Sequence, residues 1–187
     1  MVRSTFSPAQ AWRPAVVARL ARTLGLAIRN LGAPSSLTQE ATLNSAQHNR
    51  VALAVEQLHV AIDLFLSNRS TASALTLAGA AEEVLGRKAE RFGEKKAMTA
   101  QHEIVAKLLV RAKREVPSFK DYAKECNDAR NAVKHMDPDA EEDFQADLTS
   151  EAVAKIGAAC NNYERCGLPL TDKMLEFHGW YHSELGA

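Results

Sequence analysis

Apolar residues in this chain recur every three or four positions and nowhere alternate, and that period is the strongest constraint on what it can fold into. Val51, Val55, Leu58, Ile62 and Phe65 keep the spacing within residues 37–66, and Val153, Ile156, Cys160 and Tyr163 keep it within 150–166. Between the periodic runs stand Ser67-Asn68-Arg69-Ser70, Gly93, Pro117, Asp137-Pro138-Asp139 and Gly167-Leu168-Pro169. Glycine and proline interrupt helices, and a residue before proline is pushed out of the helical region. With no period-two window that would mark a strand, the expected fold is all-α: an up-and-down bundle of about five core helices, with a basic N-terminal helix and a C-terminal capping helix.

The spacing predicts helices over 37–66, 71–92, a third ending near 115, then 118–136, 150–166 and the cap over 171–185. The second carries Leu75, Leu77, Ala78, Gly79, Ala80, Ala81, Val84 and Leu85, whose small members let a neighbouring helix come close. Glu82 and Glu83 interrupt that apolar stretch, so at least one is expected to face a polar site or a groove edge. The third presents Ile104, Val105, Leu108 and Leu109, and the fourth Phe119, Tyr122, Cys126, Ala129 and Val133. A chain of 187 residues can bury the core of one domain with an extension. Gly32-Ala33-Pro34-Ser35-Ser36 reads as the linker, dividing a basic extension at 1–36 from the main domain at 37–187.

The formal net charge of zero conceals a strong partition. Residues 1–39 hold Arg3, Arg13, Arg19, Arg22 and Arg29 and no acid, and Trp12, Val16, Leu20, Leu24 and Ile28 make 8–31 a basic amphipathic helix. A transit peptide, a nucleic-acid arm, an accessory helix docked on the domain and a start codon placed too far upstream would each give such a segment. Residues 86–135 carry thirteen basic and seven acidic residues, whereas 136–187 carry three and eleven. A uniformly basic nucleic-acid coat is thereby excluded, a local patch is not.

Cys126, Cys160 and Cys166 fit neither a zinc nor a disulfide framework and are expected as reduced thiols. No apolar run approaches the ~20 residues of a membrane helix, and a cytoplasmic protein that does not contact the membrane is expected. No cofactor and no metal are expected: there is no phosphate-cradling glycine loop, nucleophile elbow or dinucleotide fingerprint. His178 and His182 share a helix face but lack the acid and third ligand of a zinc site. Lys107, Arg111, Lys113 and Arg114 would suit a nucleic-acid backbone or a solvated helix face. The acids from Asp137 to Asp147 are expected to cap the next helix or to repel RNA from the wrong face.

One constellation carries chemistry. Along the fourth helix run Asn127-Asp128-Ala129-Arg130-Asn131-Ala132-Val133-Lys134-His135. With Arg130 at zero, the apolar stripe centres near about 300°, Lys134 falls at about 40°, Asn131 at about 100° and His135 at about 140°. Arg130 therefore borders the core and His135 faces away. An arginine offers a permanent planar charge to phosphate oxygens, a histidine moves protons near neutral pH, and a helix C-terminus favours its imidazolium.

The segment Ala129-Arg130-Asn131-Ala132-Val133-Lys134-His135 resembles the Arg-polar-x-x-x-His signature of the HEPN superfamily. Ala78-Gly79-Ala80-Ala81-Glu82-Glu83-Val84-Leu85-Gly86 is similar to the earlier helix of bacterial HEPN proteins. The resemblance spans about residues 45–165, with its specificity in these two segments. It implies a helical bundle that pairs as a homodimer, bringing two Arg–His motifs into one cleft, and a metal-independent endoribonuclease of toxin or defence type. Arg130 would then bind the scissile phosphate, Asn131 position it, and His135 act as acid or base in attack by the ribose 2′-hydroxyl, with Lys134, Glu82 and Glu83 in support. RNA is the implied substrate, and a nucleotidyltransferase or an antitoxin the implied partner. Some toxin members carry a tyrosine two residues beyond the histidine that such a nucleotidyltransferase modifies; Asp137 stands at that position here. The superfamily also includes members without catalysis, so a non-catalytic interaction or ligand-binding module is the alternative.

Overall fold

The computed structural model describes residues 47–135 and 141–185. The basic extension at 1–36, its boundary with the main domain, the first part of the predicted 37–66 helix and Asp137-Pro138-Asp139 lie outside the described residues. Among those described, all regular structure is helical and no strand occurs. We number the helices α1 (Arg50–Leu66), α2 (Thr71–Arg91), α3 (Ala97–Arg111), α4 (Phe119–Glu125), α5 (Asp128–Lys134), α6 (Leu148–Arg165) and α7 (Asp172–Leu185).

Side-chain caps set several of the starts. The Asn49 carboxamide oxygen accepts from the amides of Val51 at 2.9 Å and Ala52 at 3.1 Å, and Ser70 and Ser118 cap α2 and α4 in the same manner. Asp147, the last acid of the run expected to cap a helix, takes the first amides of α6 from Thr149 and Ser150. Its bonds to Ser150 and Thr149 hold its carboxyl below the usual carboxylate range.

Helix α2 is the centre of the molecule. Its buried residues are mostly small (Ala74, Ala78, Gly79, Ala81, Gly86 and Ala89), so α1 and α6 both pack closely on it. A turn of residues 67–70 returns the chain from α1 to α2. Helix α7 runs parallel to α1: His59 Nε2 lies 2.8 Å from Thr171 Oγ1 near one end, and the Phe65 ring meets Phe177 and Trp180 further along both helices. The core joins Leu58 and Ile62 of α1, Ala78 and Leu85 of α2, Ile156 and Cys160 of α6, and Met174 and Phe177 of α7. The last helix, expected as a cap, thus supplies two of the largest buried side chains. Burial pushes the Cys160 thiol up to about 12, so it packs as a small apolar group. No helix among the described residues is long and apolar enough to cross a membrane.

Three expectations are corrected. The helix predicted over 37–66 is not helical at 47–49, because the Asn49 side chain caps α1 and starts it at Arg50. The predicted helix over 118–136 is two short helices, α4 and α5, and neither buries a residue. The cause is Asn127: its side-chain amide donates to the Ala123 carbonyl at 2.6 Å, and its own backbone N–H turns to Lys124 at 2.9 Å. The side chain replaces the backbone donor and the ladder stops. Helix α3 ends at Arg111, short of 115, and Ile104 and Leu108 on its apolar side are 58% and 57% exposed. Val105 and Leu109 of the same predicted face are half-buried, so only part of that face is covered.

Asn162 ties three elements together at zero exposure. Its oxygen accepts from the Ala97 amide at 2.6 Å, and its amide donates to the Glu82 carbonyl at 3.1 Å. Losing it strands a buried donor at the start of α3. Asn162→Ala is expected to lower stability by about 2 kcal/mol, read as a shifted urea midpoint at unchanged slope.

Candidate functional site

Helix α5 packs on α2, with Arg130 at the contact. Arg130 lies over Gly79, its Nη1 donating to the Gly79 carbonyl at 3.0 Å. A Cβ at position 79 would stand 2.3 Å from Arg130 Cδ, so the contact exists because position 79 has no side chain. The Arg130 Nε is fully buried and has no hydrogen-bond partner. Its Nη1 is committed to the backbone, which leaves Nη2 as the uncommitted end of the guanidinium.

Beneath Arg130 lies a buried ion pair. Lys155 of α6 is 3% exposed and Glu82 of α2 is 5% exposed, with Nζ and Oε2 separated by 3.8 Å. Lys155 Nζ also donates to the Asn127 side-chain oxygen at 2.9 Å, so the residue that breaks α4 from α5 is held from below. Burial keeps the Lys155 pKa below the ordinary lysine value; the Glu82 charge pulls against that shift and Arg130 adds to it.

A cavity of about 250 Å³ opens beside this network, lined by Glu82, Glu83, Arg87, Lys96, Phe119 and Arg130 among others. The structure therefore brings together three of the residues singled out from sequence, Arg130, Glu82 and Glu83. Asn131, Lys134 and His135 are exposed and do not line that cavity. His135 follows the last turn of α5 in an extended conformation, its backbone N–H on the Asn131 carbonyl at 2.8 Å. Arg130 borders the core and His135 is exposed, as expected, but the expected place of His135 in the last helical turn is corrected: it stands beyond α5 in extended backbone.

Lys155 and Asn127 were not expected as site residues. Their signal was a lone lysine inside Ala152-Val153-Ala154-Lys155-Ile156-Gly157-Ala158-Ala159, the counterpart of Glu82 inside its own apolar run. Two opposite charges, each embedded in small apolar residues, mark a buried pair. Of the other histidines, His48 and His182 are exposed, whereas His102 Nε2 lies 3.0 Å from the Pro117 carbonyl, with its ring against Phe119 and Tyr122. Among the described residues no group of three or more His, Cys, Asp or Glu side chains is placed to hold a metal ion. Lys107, Arg111, Lys113 and Arg114 are all exposed.

No protein-family model, no curated protein and no solved structure matches the chain.

The Gly79 contact predicts a reversal of sign. Gly79→Ala is expected to cost about 1–2 kcal/mol in the native chain by overpacking Arg130. In an Arg130→Ala background it should instead stabilise by about 0.5–1 kcal/mol, the normal gain in helix propensity. A denaturation double-mutant cycle measures this, and additive effects would refute the contact. Lys155 gives a pH signature. Its folded pKa lies below the ordinary 10.5, so the unfolded chain holds that proton more tightly, and stability at this position rises as pH climbs through the folded value. The stability of the native chain relative to Lys155→Met is expected to increase as pH rises toward the ordinary lysine value.

Proposed function

We propose that the protein is a HEPN-like, metal-independent endoribonuclease of toxin or defence type, acting as a homodimer. The observation that carries this reading is that Arg130 is rigidly seated on α2 while Asn131 and His135 stand free on the surface of the same short helix end. A seated arginine is preorganised for a phosphate, and an exposed imidazole at the end of the same helix is reachable from solvent.

In this reaction the ribose 2′-hydroxyl attacks the adjacent phosphorus and the bond to the 5′-oxygen breaks. Arg130 stabilises the charge gathering on the non-bridging oxygens through its free guanidinium end, and Asn131 positions the phosphate. His135 gives a proton to the departing 5′-oxygen. The proton of the 2′-hydroxyl passes to the second imidazole that pairing brings into the cleft, and the product carries a 2′,3′-cyclic phosphate. Lys134 adds positive charge at the helix end. An antitoxin or a nucleotidyltransferase is the partner that would restrain the activity.

The second reading, a non-catalytic module of the same fold, is favoured by one observation: His135 does not line the cavity that Arg130 lines. One experiment separates the two. Purified protein incubated with single-stranded RNA in EDTA is expected to cut it and leave cyclic phosphate ends. His135→Ala should reduce the rate at least about 100-fold without changing the melting temperature, and Arg130→Ala should reduce both. Cutting that persists in both variants refutes the assignment, and RNA binding without cutting selects the module.

A further inference from the structure

The cavity beside Arg130 carries both signs of charge and an aromatic ring, a combination the cleavage chemistry does not use. Glu82 forms part of its wall while being 5% exposed. Its carboxylate accepts no hydrogen bond from any described residue, and the nearest cation, Lys155 Nζ, stands at 3.8 Å, beyond hydrogen-bond distance. A buried carboxylate with open acceptor positions on a cavity wall is matched by a ligand that brings N–H donors. Arg87 and Lys96 line the same cavity and bring donors of their own. Phe119, at the start of α4, is 37% exposed there, with Lys96 Nζ 5.7 Å from its ring centroid.

We infer that this cavity seats one unpaired guanine base of the RNA, its N1–H and N2–H donating to the two oxygens of Glu82. The inference rests on the RNA reading above and names the base that accompanies the cut phosphate. Guanine alone presents two adjacent N–H donors on its pairing edge. Uracil offers one, between two carbonyl oxygens that would face the carboxylate, and adenine and cytosine each set one amino group beside an unprotonated ring nitrogen. The O6 atom of guanine, next to N1, requires a donor, which Lys96 or Arg87 supplies. Phe119 provides a stacking surface, the usual partner of a splayed single-stranded base. At about 250 Å³ the cavity is smaller than the ~300–1,000 Å³ of sites for drug-sized ligands. One base fits that size and a dinucleotide does not.

Calorimetric titration of the whole chain with GMP, IMP, AMP, CMP and UMP tests this, together with mapping of the cut positions in RNA. GMP is expected to bind at least about tenfold tighter than the other four, including IMP, which lacks only the N2 amino group. Cuts should fall beside guanine. Glu82→Gln should erase the preference. Phe119→Ala, at an exposed position that leaves the core intact, should weaken GMP about tenfold while keeping its rank. Equal binding of the five nucleotides, or GMP binding unaltered in both variants, overturns the inference. RNA cutting without base preference and without GMP binding also overturns it, while leaving the nuclease reading standing. GMP binding that survives in protein unable to cut RNA supports the guanine site and removes the nuclease.

Discussion

The arrangement around the site depends on the backbone of α2 being uncovered at Gly79. A helical carbonyl already accepts from the amide four residues on, and its second lone pair is normally screened by side chains. At Gly79, flanked by Ala78, Ala80 and Ala81, that lone pair is open and Arg130 takes it. The same run of small residues that lets α1 and α6 approach α2 thereby admits a third neighbour. Helix α5 has seven residues and buries none, far below the ~12–15 at which an isolated helix becomes marginally stable in water. Two polar tethers, Arg130 on Gly79 and Asn127 on Lys155, therefore add to the partial cover of Ala129 and Val133 in holding it.

Charge beneath the site is arranged at a cost. Desolvating an ion costs several kcal/mol, and a pair at 3.8 Å without a direct hydrogen bond recovers only part of it. Asn127 offsets more by accepting from Lys155. The Arg130 charge is among the causes that lower the Lys155 pKa.

Most of the fold was legible because a helical period survives in sequence wherever a helix faces a core. Helix α2 was expected over 71–92 and runs Thr71–Arg91; α6 was expected over 150–166 and runs Leu148–Arg165. The break between α4 and α5 was not legible, since Phe119, Tyr122, Cys126, Ala129 and Val133 hold their spacing straight through it. What breaks the helix is a side chain taking a backbone carbonyl, stabilised by a lysine distant in sequence, and neither leaves a periodic trace. Helix α3 shows the opposite limit: periodicity identified its apolar side, but Ile104 and Leu108 remain open to solvent. For the site, Arg130 and Glu82 were visible as a charged residue bordering the apolar stripe and an acid within an apolar run. Lys155 was not, because a single lysine on a helix is ordinarily solvated.

The charge partition acquires a length scale from the fold. Lys96 lines the cavity at the start of α3, and Arg111 ends that helix. At 1.5 Å per residue these positions are separated by about 22 Å along the axis. Screening at physiological salt acts over about 8 Å. The exposed basic residues from Lys107 to Arg114 therefore contribute little to a single nucleotide held beside Glu82. In the RNA reading they would act on a strand long enough to lie along α3, several nucleotides of extended chain. In the RNA reading, recognition then divides by distance: a carboxylate and an aromatic ring select one base at the cavity, while the far end of α3 attracts the strand that carries it. A ligand as small as a mononucleotide meets only the first of these, so its binding should depend on salt far less steeply than binding of the strand.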